Sequence, residues 1–171
     1  MALFQREVDS FPANLVPFLT TLIFVFVSVL PLHIPGFAVV APAFALMAVY
    51  HWTIYRPELL PPLAVFVLGL LLDFMNATTY VGISALSLLL AQAALMSVRR
   101  LFVDRLFPLL WAGFLLTAAG VIAFEWGAVS LLSGHVLGLR PFLFEAVLTI
   151  ATFPFGSYVL TRAQRGFLAR S

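Results

Sequence analysis

Residues 50–82 begin Tyr50-His51-Trp52-Thr53-Ile54-Tyr55-Arg56-Pro57-Glu58 and continue as an apolar run through Phe66 to Gly69-Leu70-Leu71-Leu72-Asp73. Asn76-Ala77-Thr78-Thr79-Tyr80-Val81-Gly82 closes the stretch. An apolar segment thus ends among aromatic residues, turns at Arg56-Pro57, and re-enters apolar sequence carrying a single carboxylate. Pro57 suits the first turn of a helix, where a missing N–H costs nothing. Pro61 and Pro62 are placed to distort that turn. Asp73 shares a helical face with Gly69 and Phe66, one and two turns back. A carboxylate beside a glycine on a packed face predicts a polar contact between helices.

Working outward, 63% of the residues are hydrophobic, 9% are charged, and the mean hydropathy is +1.11. A soluble domain has roughly a quarter of its residues charged, so the expected solvent is a lipid bilayer. Cysteine is absent, which excludes disulfides and thiolate sites. All nine basic residues are arginine, which excludes lysine Schiff bases and a P-loop. The pI of 9.5 rests on a net charge of +2 and scattered arginines, so it does not point to nucleic acid. No cofactor pattern is present.

A spanning helix needs about 20 mostly apolar residues. Six segments qualify, at about 14–32, 37–54, 59–76, 80–98, 106–131 and 142–161, with short gaps between them. The expectation is one all-α membrane domain over residues 1–171, with 1–13 and 162–171 as tails on the same side. The first segment follows Arg6, Glu7 and Asp9, and its nearest small-x-small triplet, Ala41-Pro42-Ala43, has proline in the middle. It reads as a retained helix and not as a cleaved leader. With the N-terminus inside, Arg6, Arg56, Arg99, Arg100, Arg105, Arg162, Arg165 and Arg170 fall in cytoplasmic segments and only Arg140 falls outside. That asymmetry predicts cytoplasmic termini.

Small residues recur at helical spacing: Ala38, Ala41, Ala45 and Ala48; Ser84, Ser87, Ala91 and Ala94; and Gly113, Gly120 and Gly127, with Thr117 between. Small residues let helix backbones approach closely in lipid, so these stripes predict a tightly packed bundle. The glycine face of the fifth helix could instead receive a partner's helix. Trp52, Tyr55 and Trp111 are expected in an aromatic belt at the inner interface, and Tyr80 and Trp126 at the outer one. Pro154, beside Gly156, predicts a kink in the sixth helix, tolerated where a neighbour satisfies the freed carbonyl.

Ionisable groups within spans are costly and usually functional. Asp73, Glu125 and Glu145 qualify, and all three fall toward the outer leaflet by helical rise. Arg140, His135, His33 and Asn76 lie on that side too. Glu145, Thr149, Thr152 and Gly156 share one stripe. Two readings stand for Glu125 and Glu145: solvated acids at headgroup level, or the lining of a polar concavity. Gly82-Ile83-Ser84-Ala85 resembles an intramembrane-protease nucleophile motif, but no histidine is placed to serve Ser84 as base. No histidine pair at i, i+4 offers a metal site. The residues point to a non-enzyme.

The stretch from Tyr50 to Gly82 resembles the MreD family, the small inner-membrane subunit of the bacterial rod-shape (elongation) machinery. The matching elements are Tyr50-x-Trp52, Tyr55-Arg56-Pro57-Glu58, the Phe66–Asp73 run, and Gly82 followed by Ser84-Ala85-Leu86. Asn76-Ala77-Thr78-Thr79 stands where the family has a Ser/Gly-rich turn, and Tyr80-Val81 where Pro-Leu is common. The resemblance implies a scaffold binding the single-span protein MreC, beside a SEDS-type glycosyltransferase, its transpeptidase partner and actin-like MreB. It also implies a fold similar to the S-component of energy-coupling-factor transporters. Two other classes compete: a vitamin or small-solute capture subunit, which shares the fold, and a lipid-II-related or proton-coupled transporter. The latter lacks an inverted repeat.

Overall fold

The computed structural model describes residues 2–30, 42–101 and 107–168, with side chains described from 15 to 100 and 108 to 164 within those ranges. Pro31, His33, Pro35, Ala38, Ala41 and Arg105 fall outside the described residues, as do the side chains of Arg6 and Arg165. Six α-helices follow in order: α1 (Ala2–Ser28), α2 (Phe44–Tyr55), α3 (Pro62–Met75), α4 (Ile83–Val98), α5 (Phe107–Ser133) and α6 (Arg140–Leu168). Short 3-10 turns occupy Pro57–Leu59 and Arg99–Leu101, and no strand occurs among the described residues. Two helices, α5 and α6, are long and apolar enough to cross a membrane; α3 and α4 are shorter apolar helices.

Pro57 does not open α3. It opens the 3-10 turn, with the Leu60 N–H donated to the Pro57 carbonyl. Pro61 is extended (φ −64°, ψ 154°) and α3 starts at Pro62. The residue before a proline is driven out of the α region, so consecutive prolines postpone the helix by a turn. The buried Leu60 carbonyl left over accepts the Gln92 amide from α4 at 2.8 Å.

Helix α2 occupies the middle. Every residue from Ala45 to Ile54 is buried, and a helix that is apolar all round belongs inside a larger assembly. It touches α1, α4, α5 and α6. Helix α2 packs antiparallel to α1, with Trp52 Nε1 donating to Thr20 Oγ1 at 3.0 Å, and Tyr50 Oη donates to the Leu110 carbonyl of α5 at 2.8 Å. Tyr50, Phe114 and Phe153 join α2, α5 and α6 in one aromatic cluster, with Phe114 and Phe153 stacked at 4.0 Å. Trp52, expected in an interfacial belt, is fully buried. Its neighbours on α1 and α2 enclose it, and its indole N–H has a partner inside the protein. Tyr55 and Trp111 remain partly exposed.

Pro154 lies within α6 and cannot donate to the Ile150 carbonyl. Trp111 Nε1 of α5 donates to that carbonyl at 3.3 Å. Gly156 is buried against α2, where an added Cβ would meet Met47 Sδ at 2.8 Å. We predict that Trp111→Phe lowers stability by under about 1 kcal/mol, the scale of polar contacts between membrane helices. The loss should vanish in a Pro154→Ala background, where the backbone supplies the donor. A double-mutant cycle from thermal unfolding in detergent measures both values.

Candidate functional site

At the end of the bundle opposite the described termini, the helices enclose a cavity of about 500 Å³. The close of α3 and opening of α4 contribute Asp73, Asn76, Thr78 and Ser84, while α5 and α6 contribute Glu125, Val129 and Glu145. Helices α3 and α4 have 14 and 16 residues, whereas α5 and α6 have 27 and 29. The α3–α4 connection lines a hollow whose other walls come from the end of α1, the start of α2 and the longer helices α5 and α6.

The connection is built on Asp73. Its side chain is fully buried. One carboxylate oxygen accepts the Gly82 N–H at 2.8 Å and the Ala85 N–H at 3.4 Å; the other accepts the Ser84 N–H at 3.2 Å. Its own carbonyl accepts from the Thr78 N–H at 3.2 Å. The first N–H groups of a helix have no partner inside it, and a residue at the N-cap usually supplies one. Here the N-cap is Gly82, at φ +105°, with no side chain to offer. Glycine adopts that left-handed conformation without strain, and Asp73 supplies the missing acceptor from the preceding helix. A carboxylate at a helix N-terminus also meets the positive end of the helix dipole. Gly69, one turn earlier, lets the two helices close: an added Cβ would lie 2.4 Å from Ala85 Cα.

The opening turn of α2 is served in the same way. Its N-cap is Ala43, also without a side-chain acceptor. Ser28 Oγ of α1 accepts the Ala45 N–H at 2.8 Å, and Thr149 Oγ1 of α6 accepts the Ala43 N–H at 2.9 Å. Thr149 is fully buried in that role. Thr152 turns onto its own helix and donates to the Leu148 carbonyl at 2.7 Å. The stripe from Glu145 to Gly156 is thus divided. Glu145 lines the cavity, and neither Thr149 nor Thr152 is among its lining residues.

Glu125 accepts the Ser87 hydroxyl of α4 at 2.6 Å and lines the cavity with Glu145, close enough for the two carboxyls to interact electrostatically. Among the described residues the lining holds no Arg, Lys or His. Arg140 is exposed at the start of α6 and is not brought into it, and His135 is exposed in the α5–α6 connection. Tyr80 lines the cavity, while Trp126 Nε1 donates to the Leu137 carbonyl at 3.1 Å and pins that connection to α5. Along α5, Gly113 is buried, whereas Gly120 and Gly127 have nothing within 4 Å of an added Cβ. In the turn after α2, Arg56 is exposed. No group of three or more His, Asp or Glu side chains is arranged to hold a metal among the described residues.

The chain matches the family described as rod shape-determining protein MreD over residues 10–160. It belongs to the MreD family. Membership gives the protein a role in rod-shape determination and places it in a membrane protein family, in keeping with the two helices long enough to cross a bilayer. No curated relative and no solved structure matches the chain. Sequence reasoning missed the capping roles of Ser28 and Thr149. The only signal was the absence of Ser, Thr, Asp or Asn at either N-cap.

Asp73→Ala strands three backbone donors away from water and should cost about 2–3 kcal/mol. Asp73→Asn keeps an acceptor and should lose about half of that on the same reasoning. Gly69→Ala should cost about 1–3 kcal/mol by overpacking. Ala85→Gly should not rescue it, because the clash is with a backbone atom. Thermal unfolding in detergent ranks all four variants.

Proposed function

We propose that this MreD-family chain is a non-catalytic scaffold that crosses the bacterial inner membrane six times, with both termini cytoplasmic. In this reading it binds the single-span protein MreC and helps organise the elongation synthases, a SEDS-type glycosyltransferase and its transpeptidase, alongside actin-like MreB. The arginine distribution supports the orientation. An even number of antiparallel helices supports termini on one side.

The observation that carries the partner reading is the outer face of α5. Leu116, Gly120, Ala123 and Gly127 follow one another at four, three and four residues, and so share a stripe. Leu116, Gly120 and Ala123 are exposed, and the space beside both glycines is open. Small residues on an unpartnered helix let a second helix approach to backbone contact. The stripe leads toward the turn of α5 that carries Glu125. A partner helix seated there would emerge near Glu125, Glu145 and the exposed Arg140. Packing would supply the affinity and charge would set orientation, since intramembrane polar contacts average about 0.6 kcal/mol. Asp73, Gly69, Thr149 and Thr152 would act inside the subunit, holding the helices that present these surfaces.

Combined Gly120→Leu and Gly127→Leu substitutions should reduce co-purified MreC by about tenfold, a loss of roughly 1.4 kcal/mol. Glu125→Gln with Glu145→Gln should weaken it less. Full retention of MreC in the glycine double variant overturns the docking face. The cavity itself favours a second reading, a subunit that captures a small solute, since ligand pockets commonly enclose about 300–1,000 Å³. Co-purification of an ATPase module and a bound small molecule, without MreC, would select it.

A further inference from the structure

A second cavity, of about 590 Å³, opens at the other end of the bundle, between α2, the start of α5 and the second half of α6. Tyr50, Phe153 and Tyr158 form apolar wall, and His51, Ser157 and Arg162 supply polar groups. No Asp or Glu lines it among the described residues.

The wall is held in place before any ligand arrives. Tyr50 is fixed by its bond to the Leu110 carbonyl and by edge-on contact with Phe153 at 5.8 Å. His51 is 4% exposed, and its Nε2 lies 3.0 Å from Gln164 Oε1. Pro154 interrupts the hydrogen bonding of α6 beside the cavity. Tyr158 and Arg162 follow it at four-residue spacing and so share its face. Arg162 donates one N–H to Tyr158 Oη at 3.2 Å. That bond steadies the guanidinium on the cavity's lining and leaves most of its five donors available.

An exposed cation tethered to Tyr158 at the rim of an apolar, aromatic-walled hollow, with no carboxylate among its described lining residues, selects an anion attached to an apolar body. The guanidinium fork matches phosphate oxygens. Basic pockets between membrane helices near their ends hold lipid headgroups for this reason. The volume exceeds what a phosphate ion fills, which favours a ligand with a chain.

We propose that this cavity binds a phosphate group, that of an anionic phospholipid, with Arg162 on the phosphate and the first part of an acyl chain along Tyr50 and Phe153. The site is independent of the α5 face and of MreC. Free phosphate is the other source of the same chemistry.

The test is thermal unfolding of the full chain in neutral detergent with phosphatidylglycerol, phosphatidylcholine or inorganic phosphate added. Phosphatidylglycerol should raise the midpoint by about 3 °C or more over phosphatidylcholine. Arg162→Gln should abolish that increment, as should Ser157→Leu, which fills the hollow without touching the charge. Arg140→Gln, at the opposite end, should keep it. If inorganic phosphate alone gives the full increment, the phosphate site stands and its source is the free ion. Equal midpoints in the two lipids overturn the proposal. So does an increment that survives Arg162→Gln, or one lost equally in Arg140→Gln.

Discussion

A buried carboxylate on the first turn of a neighbouring helix organises one end of this protein. Asp73 on α3 accepts three N–H groups at the start of α4, where the chain's own N-cap is a glycine. In lipid no water is available to satisfy those donors, so each must find a protein acceptor. The same arrangement recurs at α2, where Ser28 of α1 and Thr149 of α6 serve its opening turn. Neither α2 nor α4 completes its own start. Each is finished by another helix, which ties helix termination to tertiary packing and makes these contacts specific in register.

That arrangement also fixes which acids remain for other work. Asp73 is saturated by backbone donors, and Glu125 has the Ser87 hydroxyl on one oxygen. Glu145 faces the same cavity. The cavity lies where the α3–α4 connection meets α1, α2, α5 and α6, and Gly69 brings α3 and α4 together so closely that no side chain fits between. The polar hollow is therefore a product of the interaction that holds the helical hairpin. A substitution at Asp73 acts on the subunit's integrity first and on any partner contact second.

The opposite end follows a different logic. There Tyr50, Phe114 and Phe153 pack ring against ring, and Trp111 supplies the donor that Pro154 withholds from Ile150. Proline costs α6 a hydrogen bond, which α5 replaces, so the irregularity is kept without an orphaned carbonyl. Among the described residues, the two cavities differ in charge: carboxylates without a basic residue line one, and an arginine without an acid lines the other. This polarity parallels the distribution of arginines along the chain.

Composition and spacing alone are enough to read an all-helical chain rich in apolar residues, the turn at Arg56–Glu58, and the shared face of Gly69 and Asp73. These follow from composition and from a period of 3.6 residues, which local chemistry imposes. Hydropathy could not distinguish the middle of a bundle from its lipid-facing rim, because both are apolar. Trp52 therefore reads as interfacial, whereas α2 is enclosed on every side. The stripe through Glu145, Thr149 and Thr152 was legible as a face, but not its division between cavity, capping bond and self-contact. Only the tertiary structure decided those roles, since each depends on what another helix leaves unsatisfied: two helix starts without caps, a carbonyl freed by Pro154, and the hollow left where α3 and α4 end.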